Sequence, residues 1–141
     1  MAIIGGGALG VSLVAFAACT MVGAGSASAA SGLHGTITVS HSSGRVGVGI
    51  DEPTYVSADA AALRECDIYD CRIEVRFVDA CAAVARGADG RIASVIAGSR
   101  DEAERQAVEG LGDSAPPFPD LGSAAPRAAN VIAASCTSNA G

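Results

Sequence analysis

Cysteine is the residue type in this chain with the widest choice of chemistry. Cys66, Cys71, Cys81 and Cys136 lie in the charged part of the sequence, and Cys19 lies in an uncharged leader. A zinc site would want a recognised Cys/His spacing, and Cys66-x4-Cys71 with two distant cysteines matches none. Dithiol redox catalysis presents C-x-x-C at a helix start, and that motif is missing. An even set of cysteines behind an export-type leader points instead to structural disulfides, for which three pairings are open. The histidines, His34 and His41, both fall on the first predicted hairpin at opposite strand parity, so they do not converge on one catalytic centre. Neither G-x-S-x-G nor H-E-x-x-H occurs. Asp67 and Asp70 could offer oxygens to calcium, but two carboxylates fall short of the 6 to 8 oxygens that ion takes. Asp51-Glu52 reads as a hairpin exit. No catalytic, metal or cofactor residue is assigned, and the expectation is a non-enzyme.

The leader carries a decoy. Gly5-Gly6-Gly7-Ala8-Leu9-Gly10 satisfies G-x-G-x-x-G. That fingerprint needs a strand before it, a helix after it and an acid about 20 residues on. The first acid is Asp51. The leader is better explained by export. Residues 1–44 contain no Asp, Glu, Lys or Arg, and Val11–Val22 is an apolar run followed by the small residues Gly25–Ala30. About 12 apolar residues suit a signal peptide, whereas a spanning helix needs about 20. The expectation is an export signal over residues 1–30, cut after Ala29 or Ala30, and one secreted domain over residues 31–141. Two alternatives stay open: lipidation at Cys19, since Phe16-Ala17-Ala18-Cys19 approximates a lipobox, and an uncleaved anchor. Membrane contact would run through the leader alone.

The remaining chain of about 110 residues suffices for one modest core. All its cations are arginine, and the formal net charge is −6. That balance argues against a nucleic-acid partner, because phosphate neutralisation needs clustered positive charge. There is no Trp, and Tyr55, Tyr69, Phe77 and Phe118 are the aromatics of this part. Sugar platforms and base-stacking surfaces are thereby disfavoured.

The elements read as a duplicated unit. Ser43-Gly44-Arg45-Val46 is echoed by Asp89-Gly90-Arg91-Ile92, each a Gly-Arg step into a short apolar strand. The first copy (33–80) has alternating Leu33–Ser40, a turn at 41–44, and a return strand whose Val46, Val48 and Ile50 face the core. A helix follows, capped by Ser57 with Asp59 in its first turn and a stripe of Ala62, Leu63 and Cys66. Cys71–Phe77 then alternates as a strand with one wet face. The second copy (81–136) has a strand at 81–86, a hairpin turn at Ala88-Asp89-Gly90, and a return strand to Ala97. Ser99 and Glu102 form a capping box, and Ala103, Ala107, Val108 and Leu111 make the buried stripe. Residues 112–126 read as an irregular loop, and 129–136 as the last strand. Gly47 and Gly49 leave one strand face bare, for a closely packed helix. The fold class is α+β: two tandem ββαβ units forming an antiparallel sheet with two helices packed on it, braced by disulfides. The favoured pairing is Cys66–Cys71, helix end to strand start, with Cys81–Cys136, equivalent ends of the two copies.

The Ala-rich helix ending in Cys66, Cys71-Arg72-Ile73-Glu74-Val75 and Asp79-Ala80-Cys81-Ala82-Ala83-Val84-Ala85 together resemble a secreted bacterial family, domain of unknown function 4189, common in mycobacteria and their relatives. Its members show "C…C-[RK]-V-V" and then "[NR]-x-C-[GA]-A-[VL]-A". The resemblance covers about residues 33 to 136. His34 stands where the family often has an aromatic, and residues 112–126 read as inserted. The resemblance implies export and, in pathogenic relatives, a role at the host interface; it carries over no activity. The functional expectation is a small secreted module that binds a protein, cell-envelope or host partner. Contacts would come from the loops holding Asp67, Tyr69 and Asp70 and, in the second loop, Pro117 and Phe118. An inhibitor of an extracellular enzyme, inserting Pro116-Pro117-Phe118-Pro119 into a cleft, is the alternative.

Overall fold

A computed structural model describes residues 32–117 and 125–140; the expected export signal, Cys19 and Phe118 lie outside the described residues. The elements run β1 (His34–Ser40), β2 (Val46–Glu52), α1 (Tyr55–Cys66), β3 (Cys71–Val78), β4 (Cys81–Arg86), β5 (Ile92–Ala97), α2 (Arg100–Leu111) and β6 (Asn130–Cys136). The strands form two three-stranded antiparallel sheets, ordered β2-β1-β3 and β5-β4-β6. The expected single sheet is therefore two. Ile37, Val39 and Phe77 meet Ala82 and Val84 between them, with Val46, Val48, Val75, Ile92 and Ile132 around the edge. Each sheet has one face on this shared core and the other under its own helix: α1 contacts β1–β3 and α2 contacts β4–β6. The order of layers is helix, sheet, sheet, helix, because each sheet is covered on both faces, by the other sheet and by its own helix.

The two helix–sheet interfaces differ in chemistry. Under α2 the contact is alanine on alanine: Ala83, Ala85, Ala103, Ala107 and Ala129. Under α1 the sheet presents Thr36, Thr38 and Ser40, all fully buried, beside Gly47 and Gly49. A Cβ on Gly47 would collide with the Ala62 carbonyl and stand 2.5 Å from the Cys66 amide; one on Gly49 would collide with the Ala58 carbonyl and lie 2.9 Å from the Ala61 Cβ. This close approach brings the strand hydroxyls within reach of the helix. Thr38 Oγ1 divides its proton between Gly47 O (3.2 Å) and Ala62 O (3.1 Å). Thr36 Oγ1 donates to Asp59 Oδ1 at 2.8 Å. Buried hydroxyls without such partners would be costly.

Local corrections follow from this packing. Thr54, not Ser57, caps α1: it accepts from the Ser57 amide, and the Ser57 side chain returns to the Thr54 backbone, a complete capping box. Ser99 does cap α2, but the Glu102 side chain turns to Arg105 and Gln106, so only half of the expected box forms. Leu63 is 40% exposed and Ala58 takes its place in the buried stripe. Ile50 is 38% exposed because β2 kinks at the next residue, Asp51 (φ 60°), where the β1–β2 register slips. An extra residue, Glu74, interrupts β3 opposite Ile37/Thr38, which breaks the expected alternation and turns Ile73 and Cys71 toward α1. Ile132 is the matching extra residue of β6, opposite Val84/Ala85.

Both favoured disulfides form. Cys66–Cys71 spans 5 residues and Cys81–Cys136 spans 55. The second does not tie the two halves: Cys81 faces Cys136 across the β4–β6 ladder, inside the second sheet. On the chain-entropy account the long loop contributes about 4 kcal/mol and the short one about 2 kcal/mol. Chemical denaturation of paired Cys→Ser variants should show the Cys81/Cys136 loss to be the larger. In the same assay Gly47→Ala should cost about 3 kcal/mol through overpacking against α1 backbone. Gly98→Ala, with nothing within 4 Å, should cost less than about 0.5 kcal/mol.

Candidate functional site

The strand directions gather four connections at one end of the layers: hairpin β1–β2 (residues 41–45), the α1–β3 loop (67–70), hairpin β4–β5 (87–91) and the α2–β6 segment, described at 112–117 and 125–129. Gly44 (φ 74°) and Gly90 (φ 85°) supply the left-handed residue of each hairpin. Asp67, at φ 51°, does the same at the end of α1, where its amide donates to Leu63 O.

These connections are tied in a row. Asp70 accepts from Ser40 Oγ at 2.8 Å and also from the amide and hydroxyl of Ser42. Those hydroxyls, Ser42 first and then Ser40, hold its carboxyl below the usual aspartate range. His41 pairs through Nε2 with Glu74, and its carbonyl accepts from Arg86 Nη2 at 3.2 Å, linking the first hairpin to the end of β4. Arg91 pairs with Asp89, which lowers the Asp89 carboxyl, and donates to Leu111 O at 3.4 Å. Ser114 and Arg127 exchange two backbone bonds of 2.9 Å, closing the base of the last segment.

Of the residues expected to make contacts, Tyr69 stands out at 99% exposure, at the tip of the disulfide-closed loop. Asp67 and Pro117 are exposed. Asp70 is spent on the first hairpin, so it positions the loop. The α1–β3 loop and the described parts of the second expected loop, 112–117 and 125–126, lie at the same end. The sequence reasoning missed the cations there. Arg45, Arg64, Arg72, Arg86 and Arg127 belong to this end and, among the described residues, have no carboxylate within ion-pair distance. The signal was available: each lies next to a predicted turn or element end, but their convergence depends on topology.

The far end is different. Asp79 (φ 48°) turns the chain from β3 into β4 and accepts from the Leu33 amide (2.8 Å) and Asn139 Nδ2 (2.6 Å), which lower its carboxyl. Asp51 Oδ1 accepts from the Ser138 amide at 2.7 Å. His34 packs edge-on against Tyr55 at 4.3 Å, with Nδ1 buried and without a hydrogen-bond partner among the described residues. The two histidines are thus at opposite ends. Among the described residues no three Cys, His, Asp or Glu side chains converge as a metal site requires. Among them, too, no helix is long and apolar enough to cross a membrane. A shallow groove of ≈ 480 Å³ lies along α2 and β6, with Val108 and Val131 among acidic side chains.

A family profile described as a domain of unknown function (DUF4189) matches residues 34–117. The match runs from β1 through α2 and stops short of β6 and Cys136. No curated protein and no solved structure matches the chain.

Asp59 and Asp70 are among the carboxylates that make the stability pH-dependent. Asp59 is lowered first by Arg76, which clamps it with Nε (3.0 Å) and Nη2 (2.9 Å), and further by Thr36; Asp70 is lowered by the two serines. A depressed folded-state value means the contribution is complete above the unfolded value, near 3.8, and is lost as pH falls through the folded value. Melting temperature should therefore drop on acidification below about pH 4. Asp59→Asn and Asp70→Asn should each lower it at pH 7 and flatten the acid limb.

Proposed function

The chain belongs to the DUF4189 family of domains of unknown function, and on that footing we propose that it is an exported, non-enzymatic module that binds a protein or envelope partner through its loop end. The observation that carries the reading is the contrast between a braced platform and what stands on it. Two disulfides, a buried hydroxyl network and an ion pair hold the layers, while Tyr69 projects from its loop. Exposed Arg45, Arg64, Arg72 and Arg127, without a carboxylate at ion-pair distance among the described residues, lie in or beside the loops. Recognition groups on loops over a rigid scaffold lose little entropy on binding.

Disulfides persist in oxidising compartments, which supports export. The apolar leader supports it independently. The shared strand order of the two sheets, and the extra residue at the same point of each third strand, support descent from a duplicated ββαβ unit. The exposed guanidinium groups give the partner a chemistry: it presents carboxylates to planar donors, alongside an apolar or aromatic site for Tyr69.

The test is capture from envelope and culture extracts by the oxidised protein. A Tyr69→Ala, Arg72→Glu variant should lose the captured protein at least about tenfold, and added salt should weaken capture by the unaltered chain. A Val56→Lys variant at the opposite end should capture normally. Equal capture by all three forms would sink the assignment of the loop end.

A further inference from the structure

Each sheet has two edges, and three of the four are obstructed. On β2 the outward amide of Val48 is taken by the Glu65 carboxylate at 2.8 Å, and Asp51 kinks the strand. The β3 edge carries Arg72, Glu74 and Arg76 and is bulged at Glu74. The β6 edge is bulged at Ile132. Charges, blocked amides and bulges are the means by which sheet edges avoid pairing.

Among the described residues β5 has none of them. Its sequence is Ile92-Ala93-Ser94-Val95-Ile96-Ala97, free of charge, Gly and Pro, in a chain whose formal net charge is −6. Its register with β4 is unbroken from Cys81↔Ala97 to Arg86↔Ile92. The hairpin bond Gly87 N to Arg91 O (2.8 Å) sets the phase of that ladder. Ala93, Val95 and Ala97 then direct their backbone groups at β4, and Ile92, Ser94 and Ile96 direct theirs outward. Ser94 is exposed and Ile96 is 50% exposed.

We propose that the free edge of β5 pairs antiparallel with β5 of a second copy, about a two-fold axis at Ser94, joining the two β5-β4-β6 sheets into one of six strands. The occupant follows from the symmetry of the edge. An antiparallel pair centred on Ser94 sets Ser94 against Ser94 and Ile96 against Ile92 of the other copy. It makes about six backbone hydrogen bonds from the groups that point outward. It covers the exposed face of Ile96 with an apolar neighbour, and along the two β5 strands it sets no like charges opposite each other. A foreign strand would gain the same backbone bonds without the matched isoleucines.

Sedimentation velocity on the oxidised full chain, from micromolar to millimolar concentration, reads the outcome. The unaltered protein should dimerise. Ser94→Pro removes an outward amide and no β4 bond, along with the exposed Ser94 Oγ bond to Glu74 O (3.3 Å), and Ile96→Lys places a charge on the edge. Each should raise the dimer dissociation constant by about tenfold or more while keeping the native circular dichroism melt. Val56→Lys, on a residue 79% exposed outside this edge, should leave it unchanged. A protein that stays monomeric throughout, or a dimer that survives both edge variants, overturns the proposal; so does a dimer that Val56→Lys disrupts equally.

Discussion

Backbone contact between α1 and the first sheet sets most of the other distances in the molecule. The helix sits where Gly47 and Gly49 have no room for a Cβ. At that separation the hydroxyls of Thr36 and Thr38 reach a helix carboxylate and a helix carbonyl. An apolar side chain there would hold the helix off and leave the same groups to water. The polar interface is thus a consequence of close approach, and it is satisfied because the approach is close. Asp59 extends it to Arg76 on the edge strand, so one carboxylate joins helix, central strand and edge strand.

The second half solves the same problem with alanine. Ala83 and Ala85 meet Ala103 and Ala107 with no polar group between them. Small side chains give both interfaces little area per residue, and the hydrophobic gain per contact is correspondingly small. Covalent bracing supplements it, in different places: at the foot of α1 in one half, across a strand pair in the other. The halves themselves are held by the inter-sheet core around Phe77, whose ring lies over Gly35 on the neighbouring strand, and by Asp51 and Asp79 at the far end.

A stiff far end and a loop end of bonded turns divide the labour. Asp70 illustrates how. Its position in a polar loop next to Tyr69 suggested a contact residue, and its oxygens turned out to be filled by Ser40 and Ser42. The loop is thereby held against the hairpin, with Tyr69 left almost fully exposed. The same carboxylate thereby sets where the loop that carries Tyr69 stands.

Alternation, turn glycines and cap residues are local signals, so the strands, hairpins and both helices were legible from residue order alone. The errors fall where a distant element competes with a local rule. Ser57 scored as a cap by type, but the chain turns at Thr54, and Ser57 serves as the other half of the box. Leu63 fits the helical stripe, yet the glycine floor takes the small side chains of Ala58, Ala62 and Cys66, and Leu63 is left partly outside. The alternation of β3 was read through Glu74, where an unpaired residue reverses it. Sequence determined the elements and the family, because each depends on neighbours in the chain or on residue type; it favoured the covalent pairs that form, but the β4–β6 pairing is what sets Cys81 against Cys136. Whether six strands make one sheet or two, which strand face takes the buried hydroxyls, and which arginines share an end were decided by tertiary structure. These depend on distances between segments far apart in the chain, and steric fit sets those distances only once the layers meet.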